Sequence, residues 1–391
     1  VTTPSAAAPW TARVVESLEG VDRDAWQRLA GGNPFVGFDF LSLLERSGCV
    51  SRRTGWLPQH LLLESDGRLV GAAPAYLKSH SRGEFVFDQG WAQAFERHGL
   101  PYYPKLVLAA PFSPVTGPRL LAADAASRAG LAQAVVALAR EREVSSVHAL
   151  FVDDGARSAL VDEGFLVRES VQFHWTDAGY GSFDGFLASL SHDKRKKIKQ
   201  DRKQVEKAGV TFRWLTGADL GTAHLEFFYD CYVNTYQAHW SSPYLTLPFF
   251  LEWHQRCPKA LVLVLAEQEG RPIACALNVL GDGVLYGRYW GSTTFVSGLH
   301  FETCYLQAIA FCLANGVGTF EGGAQGEHKM ARGLMPVRTQ SAHWIADPRF
   351  AAAIEDFLGR ETEAIDGYVA QLEASSPFRE GPPPGEGPAP G

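Results

Sequence analysis

Two stretches of the chain repeat one pattern of apolar and polar positions. "LLLESDGRLVGAAPAYL" (61–77) and "VLVLAEQEGRPIACALNVL" (262–280) each pass from an apolar run through an acidic Gly-Arg turn into a second apolar run. Short apolar runs flanking such a turn predict a hairpin of buried strands. An apolar helix follows each hairpin, "LAQAVVALARE" in the first half and "FETCYLQAIAFCLANG" in the second. In the latter, Phe301, Cys304, Tyr305, Ala308, Ile309, Cys312 and Leu313 keep helical spacing and Gly316 supplies a stop. Each helix leads to a strand ("SSVHALFVDD", "GVGTFEGGAQ") and then to a segment ending in His-Trp ("GFLVRESVQFHW", "GLMPVRTQSAHW"). The chain therefore reads as an internal duplication of a strand–hairpin–helix–strand unit. The first copy carries an insertion, "FDQGWAQAFERHGLPYYPKLVLAAPFSPVTGPRLL".

Hairpins mixed with amphipathic helices predict an α/β (α+β) fold with a mixed sheet flanked by helices in each half. The boundaries expected are 10–175 for the first domain and 176–374 for the second, with disordered ends at 1–9 and, in the Pro/Gly tail, 375–391. Neither a dinucleotide-binding nor a P-loop glycine pattern occurs.

Composition narrows the class without deciding it. The 391 residues suffice for two cores, and 46% hydrophobic with 20% charged residues is ordinary for a globular chain. A net charge of −7 argues against nucleic acid covering the whole surface but permits a local basic patch. The six cysteines show no metal-ligand spacing, which predicts buried free thiols and no metal site. The first residues lack the pattern of a signal peptide and no apolar run approaches the ~20 residues of a membrane span, so a cytoplasmic location is expected.

Candidate chemistry gathers in the second half. "SHDKRKKIKQDRKQVEKAGV" (191–210) predicts a helix over 191–208, capped by Ser191 and stopped by Gly209. Its cations, Lys194, Arg195 and Lys197 among them, would suit a phosphate-bearing partner. "YGRYWGSTTFVSGLHFE" puts Gly298 and His300 at a helix start whose free N–H groups could face an anion. Tyr103, Lys105, His239 and Trp240 place polar groups in aromatic-rich loops, a mixture suited to a substrate pocket. In "FEGGAQGEHKMARGLMP" (320–336) several glycines surround Glu321, Gln325, Glu327, His328, Lys329 and Arg332. Glu327 and His328 are candidate general bases, while Lys329 and Arg332 could hold an anionic group. No motif for a covalent acyl-enzyme is present.

These same segments, with "FDQGWAQAF", "YYPKL", "PFSPVTGPRLL" and "YWGS…GLHFETCYLQAI", resemble the FemAB-like N-acyltransferases of the wider acyl-CoA N-acyltransferase (GNAT) superfamily. The resemblance covers most of the chain, from near residue 30 to near 345. It implies tandem GNAT-like domains and transfer of an acyl group onto an amine of a small molecule or peptide by direct attack. Donors in the superfamily are acyl-CoA, an acyl-carrier-protein thioester or, in the Fem branch, aminoacyl-tRNA. The chain lacks both the GNAT pyrophosphate-loop pattern before His300 and the long coiled-coil arm of many Fem enzymes. A thioester donor is the first expectation, and an aminoacyl-tRNA-dependent ligase or a non-catalytic binding module are the alternatives. On the expected mechanism Glu327 or His328 takes the proton, and main-chain N–H groups near Tyr289 and Trp290 receive the oxyanion. Gly298, His300 and the basic helix hold donor phosphates. Tyr103, Lys105, Lys329 and Arg332 position the acceptor, and the first domain supplies walls rather than chemistry.

Overall fold

The computed structural model describes residues 10–238, 240–324 and 326–379, with the side chain of Glu327 outside that description. In the first half the strands are β1 (Thr11–Val15), β2 (Trp56–Pro58), β3 (His60–Ser65), β4 (Arg68–Ala73), β5 (Ala75–Lys78), β6 (Lys105–Leu108), β7 (Leu121–Ala122), β8 (Ser146–Ala149) and β9 (Leu166–Thr176). In the second half they are β10 (Val210–Thr216), β11 (Leu261–Gln268), β12 (Arg271–Gly281), β13 (Val284–Ser292), β14 (Thr319–Glu321) and β15 (Met335–Ile345). Among the described residues they form a 4-stranded sheet, β1-β3-β4-β7, and an 11-stranded sheet, β10-β11-β12-β13-β14-β9-β15-β8-β6-β5-β2.

The duplication read from the hydrophobic pattern is the organising feature of this topology. β3 pairs antiparallel with β4 as β11 does with β12. The pairing of β6 with β8 is parallel, and so is that of β13 with β14. Pro74, which has no N–H to donate, interrupts between β4 and β5 what β12 runs as one strand. The closing strands are exchanged: β9 of the first half pairs antiparallel with β14, and β15 of the second with β8. β9 and β15 also pair with each other from Met335↔His174 to His343↔Leu166, which fuses the two halves into one sheet.

Two sequence expectations change. The stretch taken as an insertion holds the helix Gln89–Arg97, but "KLVL" within it is β6, the counterpart of β13. The tail begins later than expected: Phe378 bridges to Leu190, and Arg379 donates to the Ser189 carbonyl.

The helix predicted over 191–208 is observed as His192–Lys207. Ser191 stands at its N-cap without a side-chain hydrogen bond, and Gly209 follows with φ +73°. The helix after β13 starts at Leu299, contains a π-helical turn over Glu302–Leu306 and ends on Gly316 in the left-handed region. The π turn rotates the apolar stripe, so Leu306 and Phe311 are buried as well. One core runs under both halves, from Trp26, Phe35 and Phe40 to Phe228, Phe250 and Trp253. No helix of the described residues is long and apolar enough to cross a membrane.

Candidate functional site

β14 is short. It stays beside β13 only from Val284↔Thr319 to Tyr286↔Glu321, after which the strands part. At the parting, a register shift between Leu277 and Asn278 of β12 leaves Arg288 of β13 as the extra residue of a bulge. A cavity of about 740 Å³ opens there between the halves, with Arg288, Tyr289 and Trp290 of β13 on one side and Arg168–Val171 of β9 on another. The helix Thr222–Ala238 contributes Tyr232, Thr235 and Tyr236, and a loop of the first half adds Phe85–Phe87 as a lip. A smaller space of about 120 Å³ adjoins it, sharing Gly287–Trp290 and Gly322 and continuing to His300, Cys304 and Tyr305.

The glycine-rich stretch walls off the junction of the two spaces. Gly323 (φ +83°) and Gly326 (φ +102°) turn the chain away from β9 in conformations that other residues rarely adopt. The short helix Glu327–Arg332 follows and points Lys329 back inward. Lys329 is buried, and its Nζ donates to the Gly322 carbonyl at 2.7 Å. Burial lowers its pKa from 10.5 to about 8. Glu321, at the point of parting, is pushed up to about 7 by burial, against the opposing pull of Arg288. Gly322, whose carbonyl Lys329 bonds and which Glu321 precedes, lines both spaces, so a lysine and a carboxyl with pKa values drawn toward neutrality are both tied to the residue at their junction, an arrangement suited to acid–base chemistry.

The other expected residues are dispersed. His328 is exposed, its ring 5.3 Å from Phe301. Partial burial and the charges of Lys329 and Arg332 lower its pKa. His300 lines the smaller space against Trp290, held down at about 4, chiefly by burial. Arg332 is committed elsewhere, 3.6 Å from Asp201 and stacked on Phe301 at 3.8 Å, so it braces the basic helix rather than reaching an acceptor.

Lys105 and Tyr103 do not reach the cavity. Lys105 is fully buried, pairs with Glu84 at 2.7 Å and with Asp88, and donates to Ser81. It anchors the ends of the loop that presents Phe85–Phe87, and Tyr103 bonds Ser81 beside it. Trp240, expected in a pocket wall, is 98% exposed. His239 and Gln325 lie outside the described residues, as does the Glu327 side chain.

The basic helix lies against this site. Gln204 accepts from Ser297, Arg202 pairs with Glu302 at 3.2 Å, and Asp201 meets Arg332. Lys197 is paired with Asp201 and Lys194 is exposed, whereas His192, Arg195, Lys196, Lys199 and Lys203 share one face. At 1.5 Å per residue that face is about 16 Å long.

Arg288, Arg168, Thr235 and Tyr236 were not singled out by sequence reasoning. Only "YGRYWGS" offered a signal for Arg288, and nothing local marks a residue as the odd one of a bulge.

A family model described as FemAB-like, peptidoglycan biosynthesis/recognition, matches residues 17–380. Comparison with curated protein sequences gives no significant match. Among solved structures the chain is similar to FemX (12% identity, TM-score 0.54, 86% of this chain and 98% of that one). It is also similar to the C-terminal domain of a putative lysylphosphatidylglycerol synthetase from Agrobacterium fabrum (9%, 0.52, 85% and 93%). At these identities the likeness is one of fold.

Proposed function

The chain belongs to the FemAB-like family, and we propose that it joins an aminoacyl group, carried as an ester on tRNA, to a primary amine of a peptide-type acceptor. The observation that carries this reading is the cationic face of the helix His192–Lys207, a helix whose other side packs beside the site through Gln204 and Arg202. A pyrophosphate needs two or three donors. A face of five basic side chains about 16 Å long suits a polyanion instead. Family membership favours the tRNA ester over the thioester, and the chain lacks the pyrophosphate-loop pattern that a CoA donor would use.

The acceptor enters the larger cavity and the donor's 3′ end the smaller space. The amine attacks the ester carbonyl, forming the C–N bond as the C–O bond to the ribose breaks. Glu321, ionised above about pH 7, takes the proton from the attacking ammonium. The Lys329 ammonium stabilises the developing oxyanion and returns a proton to the leaving ribose oxygen. Glu321 replaces Glu327 and His328 as the base in this reading, because it is the carboxyl at the parting of the strands.

The test is transfer of radiolabelled amino acids from a pool of charged tRNA to amine-bearing peptides, run beside acetyl-CoA as donor. Transfer from tRNA that weakens steeply with salt is the expected result. Product from acetyl-CoA alone would overturn the assignment of the donor, and product from neither would favour a binding module.

A further inference from the structure

The walls of the larger cavity hold two arginines, Arg168 and Arg288, and two carboxylates, Glu169 and Glu361, yet among the described residues only one of the arginines is in an ion pair. Arg168 is held by Glu361, with Nη2 to carboxylate oxygen at 2.8 Å. Glu169 is held by Arg338 at 2.5 Å. Arg288 differs. Its Nη2 donates to the Phe112 carbonyl at 2.9 Å, and the guanidinium also hydrogen-bonds the Tyr289 hydroxyl. Among the described side chains no carboxylate forms an ion pair with it, and Glu321 acts on it only through space. Its Nε is buried without a hydrogen-bond partner. The Phe112 and Tyr289 bonds leave this further buried N–H unmet, and that carries a cost.

The guanidinium is also held in place. The bulge in β13 sets Arg288 beside Tyr289, and its carbon lies 5.5 Å from that ring and 5.7 Å from the Phe35 ring. It borders both the larger cavity and the smaller space. A planar cation without a carboxylate partner, held beside aromatic rings in a mostly apolar cavity, is suited to a planar or tetrahedral oxyanion.

We propose that Arg288 anchors an anionic group of the acceptor, so that the substrate of this cavity carries a carboxylate or phosphate in addition to its reacting amine. The proposal rests on reading the larger cavity as the acceptor pocket. The anion completes the hydrogen bonding of Arg288, turns the amine toward the junction at Glu321 and Lys329, and excludes simple uncharged amines. The aromatic lip at Phe85–Phe87 then covers the apolar remainder of the acceptor.

Binding without any donor separates this proposal from the transfer reaction. The full chain is titrated with lysyl-alanine, its C-terminal amide, phosphoethanolamine and ethanolamine, read by tryptophan fluorescence, to which Trp290 in the cavity wall contributes, and by calorimetry. A charge-assisted pair predicts that one anionic probe binds roughly 10- to 100-fold more tightly than its neutral partner. Preference within the peptide pair identifies a carboxylate, and preference within the ethanolamine pair a phosphate. R288M should abolish the preference and R288K should keep part of it, both with melting temperatures near that of the parent. Equal binding of charged and neutral partners, an undiminished preference in R288M, or no binding of any probe would overturn the proposal. A chain that passes this test yet transfers nothing from charged tRNA would refute the donor assignment instead.

Discussion

Lys329 offers a sharp test, because its activity and its stability should respond to pH in opposite directions. Its amine is buried and bonded to the carbonyl of Gly322, which lines both spaces, with its pKa lowered from 10.5 to about 8. That displacement corresponds to about 3 kcal/mol against the charged form in the folded chain. Between about pH 8 and 10.5 the unfolded chain still binds a proton that the folded chain has released. Stability therefore rises with pH across this window, by up to about 3 kcal/mol, and below pH 8 the whole penalty is present. Turnover runs the other way, since the ammonium stabilises the oxyanion and is lost as pH rises through about 8. Glu321, at about 7, supplies the rising acid limb, so the profile is a narrow bell between the two. In K329M turnover should fall roughly 10²- to 10³-fold, the alkaline limb should vanish, and the pH-dependent gain in stability should vanish with it. Urea unfolding from pH 7 to 10.5 and single-turnover transfer from charged tRNA give the two curves. If K329M stays within about threefold of the parent, or keeps its alkaline limb, Lys329 is not the stabilising group.

Other perturbations probe separate parts of the molecule. E321Q should lose the acid limb together with most of the turnover, and it should be more stable than the parent above about pH 7. The raised carboxyl costs stability as pH climbs from 4.5 through 7, and denaturant midpoints at pH 5 and 8 measure the difference. Reversing charge at Lys196, Lys199 and Lys203 together should raise the KM for charged tRNA and leave kcat unchanged. The salt dependence should flatten by about 0.7 to 0.9 in logarithmic slope for each phosphate that the helix no longer neutralises. K105M strands Glu84 and Asp88 in the interior and should cost about 3–5 kcal/mol in urea unfolding, while K105R would recover part of it. G291A would put a methyl group 2.4 Å from the Cys231 carbonyl oxygen, prising the helix Thr222–Ala238 from β13 and costing about 1–3 kcal/mol by thermal unfolding.

The hydrophobic pattern carried the architecture because a strand or helix is specified by its own residues. The hairpins at 61–77 and 262–280, the helix stopped by Gly316 and the paired His-Trp segments are where the pattern put them. The glycines of 320–336 likewise marked the turn beside the site, since Gly323 and Gly326 need a backbone that other residues rarely adopt. The chemistry within that turn was less legible. His328 and Lys329 are neighbours in sequence, yet one faces solvent and the other is buried. Lys105 and Arg332 looked free as cations in a loop, and each is spent on a carboxylate that folding brings from elsewhere.

The sequence by itself thus determined two copies of one α/β unit, a basic helix between them and a glycine-turned segment of ionisable residues. The tertiary structure decided the exchange of β9 and β15, the cavity between the halves, and which ionisable groups are buried near it. The reason is physical. Periodicity and turn chemistry are local, whereas the pKa values of Glu321 and Lys329 and the unbalanced charge of Arg288 depend on burial and on partners distant in the chain.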